Sequence, residues 1–375
     1  MPSSGDLLKM SIELCTARKI KTLTDLYFEE PAAIESFSNC AYWEMLSDGM
    51  HVSRNEHEGE TRIEKTLANL ENLTNTGHTI FAFDRDSASQ ARVAKVHTTI
   101  LALRKAGWPP AFIFIYDEAW ALVDDLFAAA VPELGDDCVM EPDLNCWCLS
   151  RSDAQGDIYV GMAFGAPHRD LRYDNCHNEE TDAPRALSTW MPVNPSGATE
   201  ANGCMRVIAI EDDAFYYCPD HPHHHDQATA LAFDDDLAAH TTALAAAAGD
   251  VCCWVPCVVH WGGAFCDDAR GGGGGAEPRA SIAATLRRRD APRSVFGSLA
   301  APGIVAAEPD CDTDEEERIS GPQPLTRAGA RAVPLRTRLA YVAKALLAYS
   351  HWYPGFPGLE AARLEAGSSH IGVFG

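Results

Sequence analysis

Between about residues 144 and 287 the chain breaks into short apolar runs. They are separated by tight-turn signals at Asn-Pro-Ser-Gly (194 to 197), Asn202-Gly203 and Gly249-Asp250. Runs this short cannot form long amphipathic helices, and turns at such regular spacing are the pattern of an all-β sandwich or barrel. The flanks read differently. Residues 78 to 83 predict a strand, and residues 87 to 106 predict a helix because Val93, Val96, Ile100 and Leu103 recur on one face. After Gly107-Trp108-Pro109-Pro110, residues 111 to 116 read as a buried strand. Residues 117 to 130 read as a helix with Trp120, Val123 and Phe127 on one side and Asp117 and Glu118 in its first turn. Leu339, Val342, Ala343, Leu346 and Leu347 have helical spacing within 336 to 353, which predicts a helix closing the fold from outside. The organisation expected is a mixed α/β region over 1–140, a β-rich core over 141–290, a loop-rich acidic segment over 291–330 and a helical region over 331–375.

Composition narrows the partners. A net charge of −24 repels phosphate backbones and anionic membrane surfaces, so neither nucleic acid nor membrane is expected as a partner. Thirteen cysteines are thin for 375 residues and odd in number, which reads as reduced thiols rather than a disulfide framework. There is no signal-peptide core near the start, no apolar run of about 20 residues, and the final Val373-Phe374-Gly375 is not a Ser-Lys-Leu type of address. A cytoplasmic location is the expectation.

The chemistry concentrates in three places. In GMAFGAPHRDLRY, His168 and Asp170 are two residues apart, so on a strand both side chains leave by the same face. With 14 histidines, about one His-x-Asp arises by chance, so the pair alone decides nothing. His260, in DVCCWVPCVVHWGG, is the best candidate for a third ligand; two histidines and a carboxylate leave positions open on a metal, as non-haem iron(II) oxygenases require. Downstream, EPRASIAATLRR places Arg279 and Ser281 at i and i+2 of a predicted strand, a guanidinium fork and a hydroxyl suited to a carboxylate.

Four blocks in this order, PHRDLRY, ALSTWMPVNPSGATEANGCMRVI, GDVCCWVPCVVHWGG and PRASIAATL, resemble the phytanoyl-CoA dioxygenase-like branch of the iron(II) and 2-oxoglutarate dependent oxygenases. The resemblance covers about residues 144 to 288. It implies a mainly β fold with flanking helices (α+β) around a double-stranded β-helix, a jelly-roll core of the cupin kind. It further implies that His168, Asp170 and His260 bind iron(II), that Arg279 and Ser281 bind the distal carboxylate of 2-oxoglutarate, and that Trp190 lines the co-substrate pocket. The activity implied is hydroxylation of a small organic substrate with dioxygen, releasing succinate and carbon dioxide, with ascorbate as reductant in vitro. Two departures stand out. Nineteen positions separate His260 from Arg279, with the glycine run 271 to 275 between them, and Gly262 stands where relatives often carry serine. Asp170 is intact, whereas halogenating relatives have a small residue there. The other readings are an oxygenase acting on a protein side chain, and a non-catalytic cupin-like metal or ligand binder.

Further signals read as structural. The run His221-Pro222-His223-His224-His225 is expected to be a surface loop. Cys252, Cys253, Cys257 and Cys266 lack paired Cys-x-x-Cys spacing, and Cys252 and Cys253 would point to opposite faces of a strand, so buried packing is expected rather than zinc. Trp254 and Trp261 have two readings, lining a substrate pocket or packing in the core, and core packing is the commoner fate beside a barrel strand. Arg169 is expected to point away from the ligands and form an ion pair, and residues 174 to 183 are expected to be a loop near the mouth, where Arg172 and Tyr173 remain open. The glycine run and the acidic stretch 310 to 317 read as solvated loops.

Overall fold

The structure is a computed structural model. It describes residues 40–47, 49–52, 62–63, 66–106, 108–149, 167–225, 240–263, 278–291 and 324–348. The glycine run, the acidic stretch and Cys266 lie outside the described residues.

The elements that matter for the site are, in order, helix α1 (Thr66–Thr76), strand β1 (His78–Phe81), helix α2 (Ser87–Lys105), helix α3 (Asp117–Leu134), strands β2 (Val139–Met140), β3 (Asn145–Leu149), β4 (Ala186–Pro192), β5 (Met205–Ile208), β6 (Thr241–Leu244), β7 (Val251–Trp254), β8 (His260–Gly262), β9 (Arg279–Arg287) and β10 (Leu325–Thr326), and helix α4 (Leu335–Ala348). Helix α2 begins where Asp86 caps it, the side chain accepting from the Ser89 amide at 2.8 Å, and it ends on Arg104 and Lys105 beside its carbonyl-rich terminus. Val93, Val96, Ile100 and Leu103 are buried, as their spacing predicts. Helix α3 runs four residues past the expected end to Gly135, whose φ of 92° stops it.

One expected element is different. Residues 111 to 116 are not a strand: Pro110–Ile115 is a 3-10 helix, entered through Pro109 and closed by the Phe112 amide donating to the Pro109 carbonyl at 3.0 Å. Two prolines lack the amides a ladder needs and hold φ near the helical value, so this apolar run coils. It is buried throughout and touches α2, α3, β3 and α4, which supplies the burial that a central strand would have had.

The sheets are antiparallel. Strands β10, β2, β9, β4, β7 and β1 lie in that order, with β3 also paired to β9, and make a seven-stranded sheet; β8, β5 and β6 make a three-stranded one. Along the chain, β4 belongs to the large sheet, β5 and β6 to the small, β7 to the large, β8 to the small and β9 to the large. The register sets the faces. Ser281 opposes Pro192 and Trp147, Ala283 opposes Trp190, and Ser188 opposes Trp254, so these side chains share one face. Intervening residues such as Leu187, Met191, Ile282 and Ala284 take the other, and α3 lies against this sheet.

Arg338 of α4 is fully buried. It donates to the carbonyls of Val333 at 2.8 Å and Ile115 at 2.9 Å, pairs with Asp117 at 2.5 Å and lies 5.9 Å from the Trp120 ring, tying the C-terminal helix to the 3-10 segment. Removing one member of a buried pair leaves the other charge uncompensated, so Arg338→Ala is expected to destabilise the fold by about 3–5 kcal/mol, read by urea unfolding. No helix among the described residues is long and apolar enough to cross a membrane.

Candidate metal and co-substrate site

His168 reaches the site through its backbone. Its amide donates to the His260 carbonyl at 3.0 Å, and the His260 amide returns a bond to the His168 carbonyl at 2.9 Å. This is a single bridge beside β8 rather than the regular strand expected through 168 to 170, because the chain bends at Asp170, whose amide turns to the Pro256 carbonyl at 2.9 Å. The bend keeps the carboxylate next to both rings. His168 Nε2 lies 3.7 Å from Asp170 Oδ1, His260 Nε2 lies 3.5 Å from Asp170 Oδ2, and the ring centroids are 4.4 Å apart. All three ligand-capable atoms fall within 4.8 Å of one another, and among the described residues they are the one such group of histidine, cysteine, aspartate and glutamate.

Hydrogen bonds orient the donors. His260 Nδ1 is 3.0 Å from the Val258 carbonyl, which can only accept, so Nδ1 carries the proton and Nε2 keeps its lone pair for a metal. Ser188 on β4 donates to Asp170 Oδ2 at 2.8 Å. Burial works to raise the Asp170 carboxyl, but the His260 imidazole, then His168 and the Ser188 hydroxyl, outweigh it and hold it at about 2. Burial pulls the His260 imidazole down while Asp170 more than compensates, leaving it raised. A carboxylate and two imidazoles converging on one point have the donor chemistry of a divalent metal site. Exposure is uneven: the side chains of His168 and Asp170 are 31% and 23% exposed, that of His260 4%.

The second cluster is on β9. Arg279 and Ser281 are buried, and Nε and Nη1 of the guanidinium and the Ser281 hydroxyl have no hydrogen-bond partner among the described residues. Burial pushes the Arg279 guanidinium down to about 10, and the groups that push it back are thiols, Cys204 and Cys148, rather than a carboxylate. A buried cation without an anion costs several kcal/mol unless a ligand supplies one. The cradle therefore fits a ligand carboxylate. Trp190, opposite Ala283 on the same face, holds its ring 5.6 Å from the guanidinium carbon and walls the cluster. Ser188 stands two residues before Trp190 on β4, so one strand face links the carboxylate-accepting cluster to Asp170. Gly262 is buried and paired with Met205.

The surrounding signals sort as follows. Arg169 points away from the triad, pairing with buried Asp213 at 2.7 Å and donating to the carbonyls of His224 and Cys257. Cys252, Cys253 and Cys257 are buried free thiols, and Cys257 Sγ lies 3.9 Å from His177 Nδ1. The histidine run is not simply a solvated loop: Pro222–His225 is one helical turn, and His224 is buried. His224 Nδ1 donates to the Phe215 carbonyl at 2.8 Å and Nε2 accepts from the Tyr173 amide at 3.4 Å, so this ring pins the segment that follows the triad. Arg172 makes exposed pairs with Asp174 and Asp220, and Tyr173 donates to Asp182 at the end of a short helix, Tyr173–Cys176. Sequence reasoning missed Ser188. Counting two residues back from Trp190 on its strand would have found it.

No protein-family model and no curated protein matches the chain. Among solved structures it is similar to SnoN, a non-haem α-ketoglutarate dependent epimerase from nogalamycin biosynthesis, at 15% identity over 60% of this chain and 80% of that one, with a TM-score of 0.39. It is also similar to SnoK, a carbocyclase from the same biosynthesis, at 13% identity over 61% of this chain and 87% of that one, TM-score 0.40. HygX from Streptomyces hygroscopicus, whose structure holds nickel and 2-oxoglutarate, matches at 10% identity over 60% of this chain and 87% of that one, TM-score 0.40. At such identities and scores, what the site does has to be read from its own geometry.

Proposed function

We propose that this chain is an iron(II) and 2-oxoglutarate dependent oxygenase that hydroxylates a small organic substrate. The observation that carries the reading is the pairing of the His168, Asp170 and His260 cluster with a buried, anion-less Arg279 and Ser281 on the adjoining sheet face. In this reading residues 141–290 are the catalytic core. The alternation of consecutive strands between two antiparallel sheets supports a double-stranded β-helix, an eight-stranded jelly roll in which the His168 bridge would stand for the shortest strand.

His168, Asp170 and His260 would hold the iron, and Arg279 with Ser281 would hold the distal carboxylate through charge-assisted hydrogen bonds, with Trp190 as the wall between the ends. With dioxygen, iron(II) and 2-oxoglutarate supply an oxidative decarboxylation to succinate and carbon dioxide that hydroxylates a substrate C–H bond. The protein's share is placement. Val258 fixes the His260 tautomer and Ser188 fixes the Asp170 carboxylate, and because His260 is buried while His168 and Asp170 are partly exposed, substrate would approach past His168.

The test uses the purified full chain with iron(II), ascorbate and 2-oxoglutarate. Slow succinate formation without substrate is expected, rising with the matching member of a metabolite panel. Stoichiometric zinc together with no calorimetric binding of 2-oxoglutarate would overturn the proposal in favour of a non-catalytic binder.

A further inference from the structure

Trp254 closes β7 and was expected to be a core residue. Its ring is buried, but its place is particular: its centroid lies 4.8 Å from that of His260 at 44°, and its register partner on β4 is Ser188, the residue that holds Asp170. The indole therefore belongs to the His260 and Asp170 end of the site, on the same sheet face as Trp190 and Ser281. Its Nε1–H is buried and has no acceptor among the described residues. Tryptophan has a donor and no acceptor, so water or a carbonyl would normally be found beside such a nitrogen. The fully buried Trp120 obeys that rule, its Nε1 donating to the Phe114 carbonyl at 2.6 Å, and so does the partly buried Trp108, whose Nε1 donates to the Tyr42 hydroxyl at 3.1 Å. A donor left open beside a metal-ligand histidine is what a bound oxygen would satisfy.

We infer that the Trp254 indole N–H is a positioning donor for the 2-oxo acid, hydrogen-bonding an oxygen of its C1 carboxylate, the end opposite to the one Arg279 takes. This deepens the oxygenase reading and rests on it. The arrangement gives the co-substrate a polar anchor at each end, Arg279 and Ser281 on β9 and Trp254 on β7, with the Trp190 ring between them. A hydrogen bond to a carboxylate is among the stronger ones, and it is made only when the ligand is present.

The experiment compares wild type with Trp254→Phe, which keeps an aromatic ring and removes the N–H, using the full chain loaded with manganese(II). Binding of 2-oxoglutarate and of succinate semialdehyde is measured by calorimetry. The second probe shares the distal carboxylate and a carbonyl but lacks the C1 carboxylate. Trp254→Phe is expected to weaken 2-oxoglutarate by about tenfold or more while changing the semialdehyde little. Manganese affinity should hold, and the metal-free variant should melt at the same temperature or higher, because an unsatisfied buried donor has gone. Equal 2-oxoglutarate affinity in the two proteins, or equal weakening of both probes, would overturn the inference and assign Trp254 to packing alone. A wild type that binds manganese but no 2-oxoglutarate would instead remove the oxygenase reading, and this inference with it.

Discussion

His168→Ala is expected to bring succinate formation down to the level of free iron(II) in solution and to weaken manganese(II) binding by well over the roughly 10–100-fold that loss of an outer partner costs a metal site. The variant isolates chemistry from folding. His168 is joined to His260 by two backbone hydrogen bonds, which alanine keeps, and its side chain is the most exposed of the three ligands. Stability without metal should therefore change by only about 1 kcal/mol, the ordinary effect of a single substitution. Calorimetric titration with manganese(II), alongside the succinate assay, checks both halves. Turnover at the wild-type rate would show that the His168, Asp170 and His260 cluster is not the metal site.

Arg279→Met separates the co-substrate from the metal. Metal affinity should persist, because Arg279 stands on β9 and makes no contact with the triad among the described residues, whereas 2-oxoglutarate should lose the partner of its distal carboxylate. Removing one member of a buried charged pair costs about 2–5 kcal/mol of binding, or roughly 30-fold to several thousand-fold in Kd. The effect on folding should have the opposite sign. Without ligand, Arg279 is a buried guanidinium with two nitrogens and a neighbouring hydroxyl unpaired, held down at about 10 by burial and faced by thiols rather than a carboxylate. Exchange for an apolar side chain of similar volume should stabilise the ligand-free protein by about 1–4 kcal/mol, visible in urea unfolding. A loss of stability on that exchange would mark Arg279 as structural.

The candidate residues that the structure brings together stand out in the sequence because their chemistry is rare in a buried strand. An Arg-x-Ser pair inside an apolar run, and a histidine closing another, conflict with burial unless something pairs with them. The flanking helices were legible for a different reason, since Val93, Val96, Ile100 and Leu103 recur at the 3.6-residue spacing of one helix face. Where burial is complete, periodicity vanishes. Residues 111 to 115 are apolar on every side, so a strand and a helical turn look alike, and it is the missing amides of Pro109 and Pro110 that decide. His224 was misjudged because a histidine-rich tract describes composition, while its burial depends on Phe215 and Tyr173 folding over it. Trp254 needed the pairing of β4 with β7, a long-range register that no local window contains, whereas Ser188 lay two residues from Trp190 on its own strand.

If His168, Asp170 and His260 hold a metal as proposed, the reciprocal backbone bond between His168 and His260 bears on how it is loaded. Two of the three ligands share one piece of ladder, and the Pro256 carbonyl just before β8 receives the third ligand's amide. Their backbones are thus tied through one short stretch of chain. Fraying that bridge would spread both imidazoles and release the carboxylate together, so occupancy should respond to a disturbance as a switch rather than a slope. A protein of this construction would be either fully competent to hold its metal or free of it, with few half-ligated molecules in which a loosely held iron could do unguided oxidation.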